Sequence, residues 1–159
     1  MSTQKAVVDE LDLRLLERLQ ENSRQTCKRL GEKIGLSSTA VLRRIRKLRA
    51  CGLIIDEVAI LAPDKLGFGV TTIVHITLKS ESATNRRFGE RIAAHPAVSQ
   101  CYYVTGNADF VMIASFRTMM DYQAFAGEYF LENKLVRRFS TQVVLRSVKR
   151  TMRLPIFCN

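Results

Sequence analysis

Two stretches of this sequence carry residue types able to do chemistry, and the chemistry in both is binding. From Ser38 to Cys51 there are five basic residues, Arg43, Arg44, Arg46, Lys47 and Arg49, and no acid. A solvated helix ordinarily mixes charge signs to gain i,i+4 pairs, so a one-sign run repels itself unless phosphates lie nearby. At about 100° per residue, Val41, Ile45 and Leu48 gather on one side of a helix, while Thr39, Arg43, Arg46 and Lys47 point the other way and Arg44 and Arg49 flank them. The N-terminal residues of such a helix are the ones that reach base edges, which makes Ser38, Thr39 and Arg43 the expected base contacts. Arg44, Arg46, Lys47 and Arg49 are expected on phosphates. The plainer alternative is a basic surface helix with no partner.

The second stretch is Thr105-Gly106-Asn107-Ala108-Asp109. Gly106 leaves backbone N–H groups uncovered and Asp109 adds a carboxylate, which are the donors and the anion that a zwitterionic ligand needs. Read from its residues alone, the same stretch is equally an ordinary hairpin turn. No nucleophile and base, no metal cluster and no phosphate-binding glycine loop appears anywhere, so an enzyme is not expected. His75 and His95 lack partners at ligand or triad spacing and are read as surface or interface packing. Cys27, Cys51, Cys101 and Cys158 are widely separated, which fits reduced thiols in a reducing compartment.

The elements that must position these residues follow from periodicity. Asp9 caps a first helix with Leu13, Leu16 and Leu19 that ends near Asn22. Thr26 caps a second, with Cys27, Leu30 and Ile34 on one face and a stop at Gly35, and Ser37 caps the basic third helix, which stops at Cys51-Gly52. Leu53 to Leu61 is β-rich, and Pro63, Gly67 and Gly69 then mark a boundary, giving expected domains 1–62 and 63–159. Beyond it the order is strand 70–78, helix 84–95, strand 98–104, strand 110–116, helix 119–131 and strand 139–148, the βαββαβ arrangement of an α+β, ferredoxin-like domain. Both helices of such a unit lie on one side of the sheet, so the other face calls for a second copy.

Composition agrees. The 159 residues are 47% hydrophobic, enough for one medium domain or two small ones, and 25 Lys and Arg against 15 Asp and Glu give a net charge of +10, suited to a polyanion. No stretch approaches the roughly 20 apolar residues of a membrane span, and no signal-peptide core precedes Val8, so a cytoplasmic protein is expected.

Leu11-Asp12 with Leu15-Leu16, Ile34-Gly35-Leu36-Ser37, Val41-Leu42-Arg43-Arg44-Ile45 with Leu48, and Gly52-Leu53-Ile54, together with Val98 to Asp109 and its Val-Thr-Gly-x-x-Asp segment, run in the order found in a known family. The sequence resembles the Lrp/AsnC, or feast/famine, transcription regulators over nearly its whole length. The resemblance implies a winged-type helix-turn-helix, a β linker and a C-terminal RAM domain. It further implies homodimers that assemble into tetramers or octamers, binding to double-stranded DNA, no cofactor, and an amino acid or related metabolite as effector. Carried over by motif, the effector site would comprise Tyr103, Thr105, Gly106, Asn107, Ala108 and Asp109, with Met119 and the segment Gln142, Val143 and Val144 nearby. A DNA-organising protein whose C-terminal half only oligomerises is the alternative. Two departures stand out: Gly31 inside the second helix, which lowers helix propensity by about 1 kcal/mol relative to Ala, and Ser38 and Ala40 where prolines are common.

Overall fold

A computed structural model of the protein describes residues 8–79 and 83–157, and the chain divides into two compact units. The first is built on three helices, α1 (Glu10–Glu21), α2 (Cys27–Ile34) and α3 (Ser38–Ala50). Each begins where a short polar side chain meets an orphan backbone N–H: Asp9 accepts from Asp12 N at 2.7 Å, Thr26 from Arg29 N at 3.2 Å and Ser37 from Ala40 N at 3.2 Å. At the first cap the Asp12 carboxylate reciprocates by accepting the Asp9 N–H, closing a capping box. Leu15, Leu30, Val41 and Leu48 are wholly buried and join Ile34 and Ile45 in one core. Burying each of these side chains contributes about 1.5–3 kcal/mol before chain entropy is charged against it.

The turn from α2 to α3 depends on two glycines. Gly35 sits at φ 76°, the left-handed region that ends a helix. A Cβ on Gly31 would lie 2.2 Å from the backbone oxygen of Leu36, inside any tolerable contact. The propensity lost at Gly31 is thus the condition for folding the turn back onto α2.

Leu53 to Leu61, expected as β, contains no strand. Ile54 packs against the helical core, but most of the segment's other apolar side chains face outward, Ile55 at 93% and Ile60 at 79% exposure. A strand requires a hydrogen-bonding neighbour, and none is present beside this segment among the described residues. A second difference concerns the chain's end: from Arg150 onward it clusters with the first unit, not the second. There the Gln20 side-chain amide grips Leu154, donating to its carbonyl at 3.1 Å and accepting its N–H at 2.6 Å, while Arg153 Nη2 donates to Glu21 O at 3.2 Å.

The second unit, Leu61–Lys149, runs β1 (Val70–Leu78), α4 (Ala83–Ala93), β2 (Val98–Tyr103), β3 (Phe110–Phe116), α5 (Met119–Ala126) and β4 (Val136–Val143), with a π-helical turn, Gly127–Leu131, extending α5. The sheet order is β2-β3-β1-β4 with every neighbouring pair antiparallel, the βαββαβ topology expected. Alternation puts Val74, Ile76, Phe110, Met112 and Phe116 on the face that packs against Phe88, Ile92, Phe125 and Phe130. Tyr122 on α5 hydrogen-bonds Thr141 on β4, tying helix to sheet edge. The last strand starts and ends earlier than its expected 139–148. Its ladder to β1 ends at Val143 opposite Thr72, with one more bond from Val144 N to Thr71 O at 2.8 Å, and Leu145 is 98% exposed.

Candidate DNA interface and ligand groove

The DNA-facing candidates are sorted by what surrounds each side chain on α3. Val41, Ile45 and Leu48 point into the core, leaving Ser38, Thr39, Arg43 and Arg46 exposed. Arg43 and Arg46 have no carboxylate within ion-pair distance among the described residues. Arg44 differs from its expected role as a phosphate contact. Its Nη1 lies 2.7 Å from both Asp9 Oδ2 and Asp12 Oδ1, and Asp12 is fully buried, so the guanidinium neutralises an acid set into the core side of α1. The hydrogen bonds that Arg44 donates to Asp12 and Asp9 push its pKa up, and the Arg44 guanidinium, with the Asp12 N–H, holds Asp9 below the usual carboxylate range.

Lys47 Nζ lies 3.6 Å from Asp12 Oδ2, and Arg49 Nη2 lies 2.8 Å from Glu57 Oε1. The Arg49–Glu57 pair is exposed, and a pair of this kind is worth only about 0–1 kcal/mol, so a phosphate can displace its carboxylate, whereas Lys47 is half-exposed against an acid that is wholly buried. The run that reads as five like charges is thus partly balanced by acids distant in sequence. A signal for this exists in Asp12 itself, an acid in the apolar periodicity of α1 three residues before Leu15. The helix before the turn adds exposed Lys28 and Arg29, which the motif reading passed over. In this motif the first helix of the pair crosses the phosphate backbone.

In the second unit the loop 104–108 borders a groove on the sheet face away from the helices. Its volume is about 540 Å³, and Val104, Thr105, Asn107 and Ala108 line it with His75 and Thr77 of β1, Val111 of β3, and Arg138, Phe139 and Ser140 of β4. Gly106 holds the loop's left-handed bend at φ 111°. Arg138 reaches across β1, its Nη2 donating to Asn107 O at 3.1 Å and its Nε to Thr77 Oγ1 at 3.4 Å, while Thr77 Oγ1 donates to the same carbonyl at 3.2 Å.

Five residues assigned to the site by motif stand elsewhere. Tyr103 pairs with Phe110, whose side chain is core, so strand alternation sends it to the helix-covered face, where the two rings sit 5.1 Å apart. Met119 opens α5 beyond the far end of β3 from the loop. Gln142 and Val143 pair with Ile73 and Thr72, two or more residues along β1 from His75, and Val144 follows them. Asp109 borders the loop, but its Oδ2 accepts the Leu78 N–H at 2.6 Å and its own N–H donates to Ile76 O, so it fastens the start of β3 to the end of β1. His75, Thr77, Arg138 and Ser140 were not foreseen. The outward phase of β1 and β4 would have exposed them, since register sets Thr77 opposite Arg138 and His75 opposite Ser140. His95 is structural: its Nδ1 accepts the Ala97 N–H at 3.1 Å and its ring packs edge-on to Phe125.

No group of side chains able to hold a metal occurs among the described residues, and no helix there is long and apolar enough to cross a membrane. Comparison with known proteins matches both units. An AsnC-type helix-turn-helix domain model matches residues 8–49, and the model of the Lrp/AsnC ligand binding domain matches residues 71–154. An uncharacterised helix-turn-helix-type transcriptional regulator of Sinorhizobium fredii is 40% identical over 150 residues, 94% of this chain and 89% of its own. The leucine-responsive regulatory protein of Rhizobium meliloti is 30% identical, with 94% and 96% covered. Among solved structures, a transcriptional regulator of Neisseria meningitidis in complex with L-Met superposes with a TM-score of 0.87 at 28% identity, covering 94% of this chain and 97% of its own. These relatives are transcriptional regulators, not enzymes, and the chain, matched in both halves, belongs to the Lrp/AsnC family.

Proposed function

We propose that the protein binds double-stranded DNA sequence-specifically through α3 and that a small effector, an amino acid or a close relative, changes that binding from the groove beside loop 104–108. The observation that carries the first half is the pair Arg43 and Arg46, exposed on the helix after the Gly35 turn with no carboxylate of the described chain beside them. Ser38, Thr39 and Arg43 read bases, while Arg46, Lys47 and Arg49 hold phosphates. Support for the second half is a groove with polar groups from two strands and one loop, together with the Neisseria relative's complex with L-Met. The working form is a homodimer, extended to tetramers or octamers, in which a second copy covers the open sheet face, so that the groove is walled by both copies. Its setting is the cytoplasm. The test is a thermal-shift screen of the full chain against the twenty amino acids, followed by DNA binding with each hit. A DNA-organising role without sensing predicts no shift in stability, assembly or DNA affinity with any of them.

A further inference from the structure

We infer that the C-terminal segment adds a second phosphate-binding surface beside the helix-turn-helix, carried by Arg150 and Arg153, so that a duplex is gripped on its backbone outside the stretch that α3 reads. The inference rests on the DNA-binding reading of α3. From Arg146 to Arg153 there are four cations, Arg146, Lys149, Arg150 and Arg153, all exposed, and no acid. The last two belong to the same compact unit as α3. They are brought there by the clasp at the end of α1, where the Gln20 amide bonds both backbone groups of Leu154 and Arg153 Nη2 donates to Glu21 O at 3.2 Å. That bond uses one of the five N–H donors of the guanidinium. Leu154 is 73% exposed, so the segment is fastened by hydrogen bonds and not by burial of its apolar side chain.

The clasp sets these cations among others. Arg24 follows Glu21 by three residues and Arg150 precedes Arg153 by three, and three residues span at most about 11 Å. Arg24 lies in the loop that leads to α2, whose exposed Lys28 and Arg29 sit on the helix that crosses the phosphate backbone in this motif. None of Arg24, Lys28, Arg29, Arg150 and Arg153 has a carboxylate within ion-pair distance among the described residues. The acids lining the cleft between α1 and the C-terminal segment are Glu17 and Glu21, and Arg18 already pairs with both, at 3.6 and 3.0 Å. Cations gathered round one loop without acids of their own repel one another, and phosphates relieve that repulsion. Duplex DNA is the partner this charge fits, since α3 brings it to the same unit and it carries one negative charge per about 1.7 Å of its axis. Contacts to phosphate carry no base information, so this surface adds affinity and register but no sequence preference.

The test is a set of binding titrations of the full chain between about 50 and 200 mM salt, on a DNA fragment that the protein enriches from a random pool and on a random duplex of equal length. A hydroxyl-radical footprint on the enriched fragment and a melting curve accompany each variant. Arg150→Gln combined with Arg153→Gln should weaken binding to both DNAs alike, lower the slope of log affinity against log salt by about 2, and erase the outermost backbone protections while the central ones persist. Arg150→Gln alone, a residue outside the clasp, should lower the slope by about 1. Arg150→Lys combined with Arg153→Lys keeps the charge and should keep the parent's slope and footprint. Arg87→Gln combined with Lys134→Gln removes two exposed cations from the second unit and should leave both unchanged. If the folded Gln variants keep the parent's slope and footprint while Arg46→Ala lowers the slope, the DNA reading stands and this inference falls. It falls as well if the control pair lowers the slope as much as the Arg150 and Arg153 pair, or if the Lys pair loses as much as the Gln pair. If Arg46→Ala and the Gln variants all bind like the parent, or no DNA is enriched, the DNA reading fails and the inference fails with it.

Discussion

At the scale of single residues, the proposed function separates the basic helix into a residue that reads, residues that hold and a residue that braces. Arg43→Ala should relax sequence preference, costing about 1–3 kcal/mol on the matched base pair and little on random DNA. Binding titrations on both DNAs check this, and equal losses would remove Arg43 from base reading. Arg46→Ala should weaken binding to every sequence alike and reduce the slope of log affinity against log salt by about 1. Arg44 behaves otherwise because Asp12 beneath it is fully buried. Arg44→Ala strips a charged hydrogen-bond donor from that acid, at about 1.5–3 kcal/mol of stability, and a melting curve should register the loss. The Asp9 carboxyl of the same cluster lies below its ordinary 3.8 in the folded chain. Since the folded state is the poorer proton binder, this contribution is complete above about pH 4 and disappears as pH falls further. Asp9→Asn should flatten the acid limb of the melting-temperature profile without altering its neutral plateau's pH independence. Asp109→Ala should lower the melting temperature by freeing the Leu78 N–H while leaving effector affinity of the folded protein unchanged.

At the scale of elements, local rules were legible where one residue and its neighbours settle the outcome. Asp9, Thr26 and Ser37 start their helices as capping chemistry requires, and the period-two run of β1 falls on 70–78 as read. What was hidden depends on partners distant in sequence. The strand expected to run to Val148 ends at Val143, where its ladder to β1 stops, and Leu53 to Leu61 forms no strand among the described residues because a β-rich composition does not itself provide a neighbour. The candidate groove shows the same limit: the loop was visible as Thr105 to Asp109, but Arg138 enters only through the pairing of β4 with β1. Gly31 marks the reverse case, a residue that local propensity disfavours and the turn requires. Gly31→Ala should destabilise by about 1–3 kcal/mol through overpacking against Leu36 O, not stabilise as helix propensity alone would have it. A denaturant titration gives the sign directly.

At the scale of the whole molecule, a DNA-binding unit and a ligand-binding unit share one chain that passes between them twice, near Ile60 and near Lys149. The second passage ends in the Gln20 clasp on Leu154, so the C-terminal segment is part of the unit that holds α3. A sensor needs the ligand to favour one arrangement of such units over another, and the DNA response is bounded by that difference in affinity. The central claim is that a small effector, an amino acid or a close relative, changes DNA binding by α3. It is tested most directly by fluorescence anisotropy on a DNA fragment that the protein itself enriches from a random pool, titrated with and without the amino acid that raises its melting temperature most. The account predicts an effector-dependent change in DNA affinity of about 5-fold or more. Identical titrations with and without the amino acid, in a protein that demonstrably binds both, would contradict it.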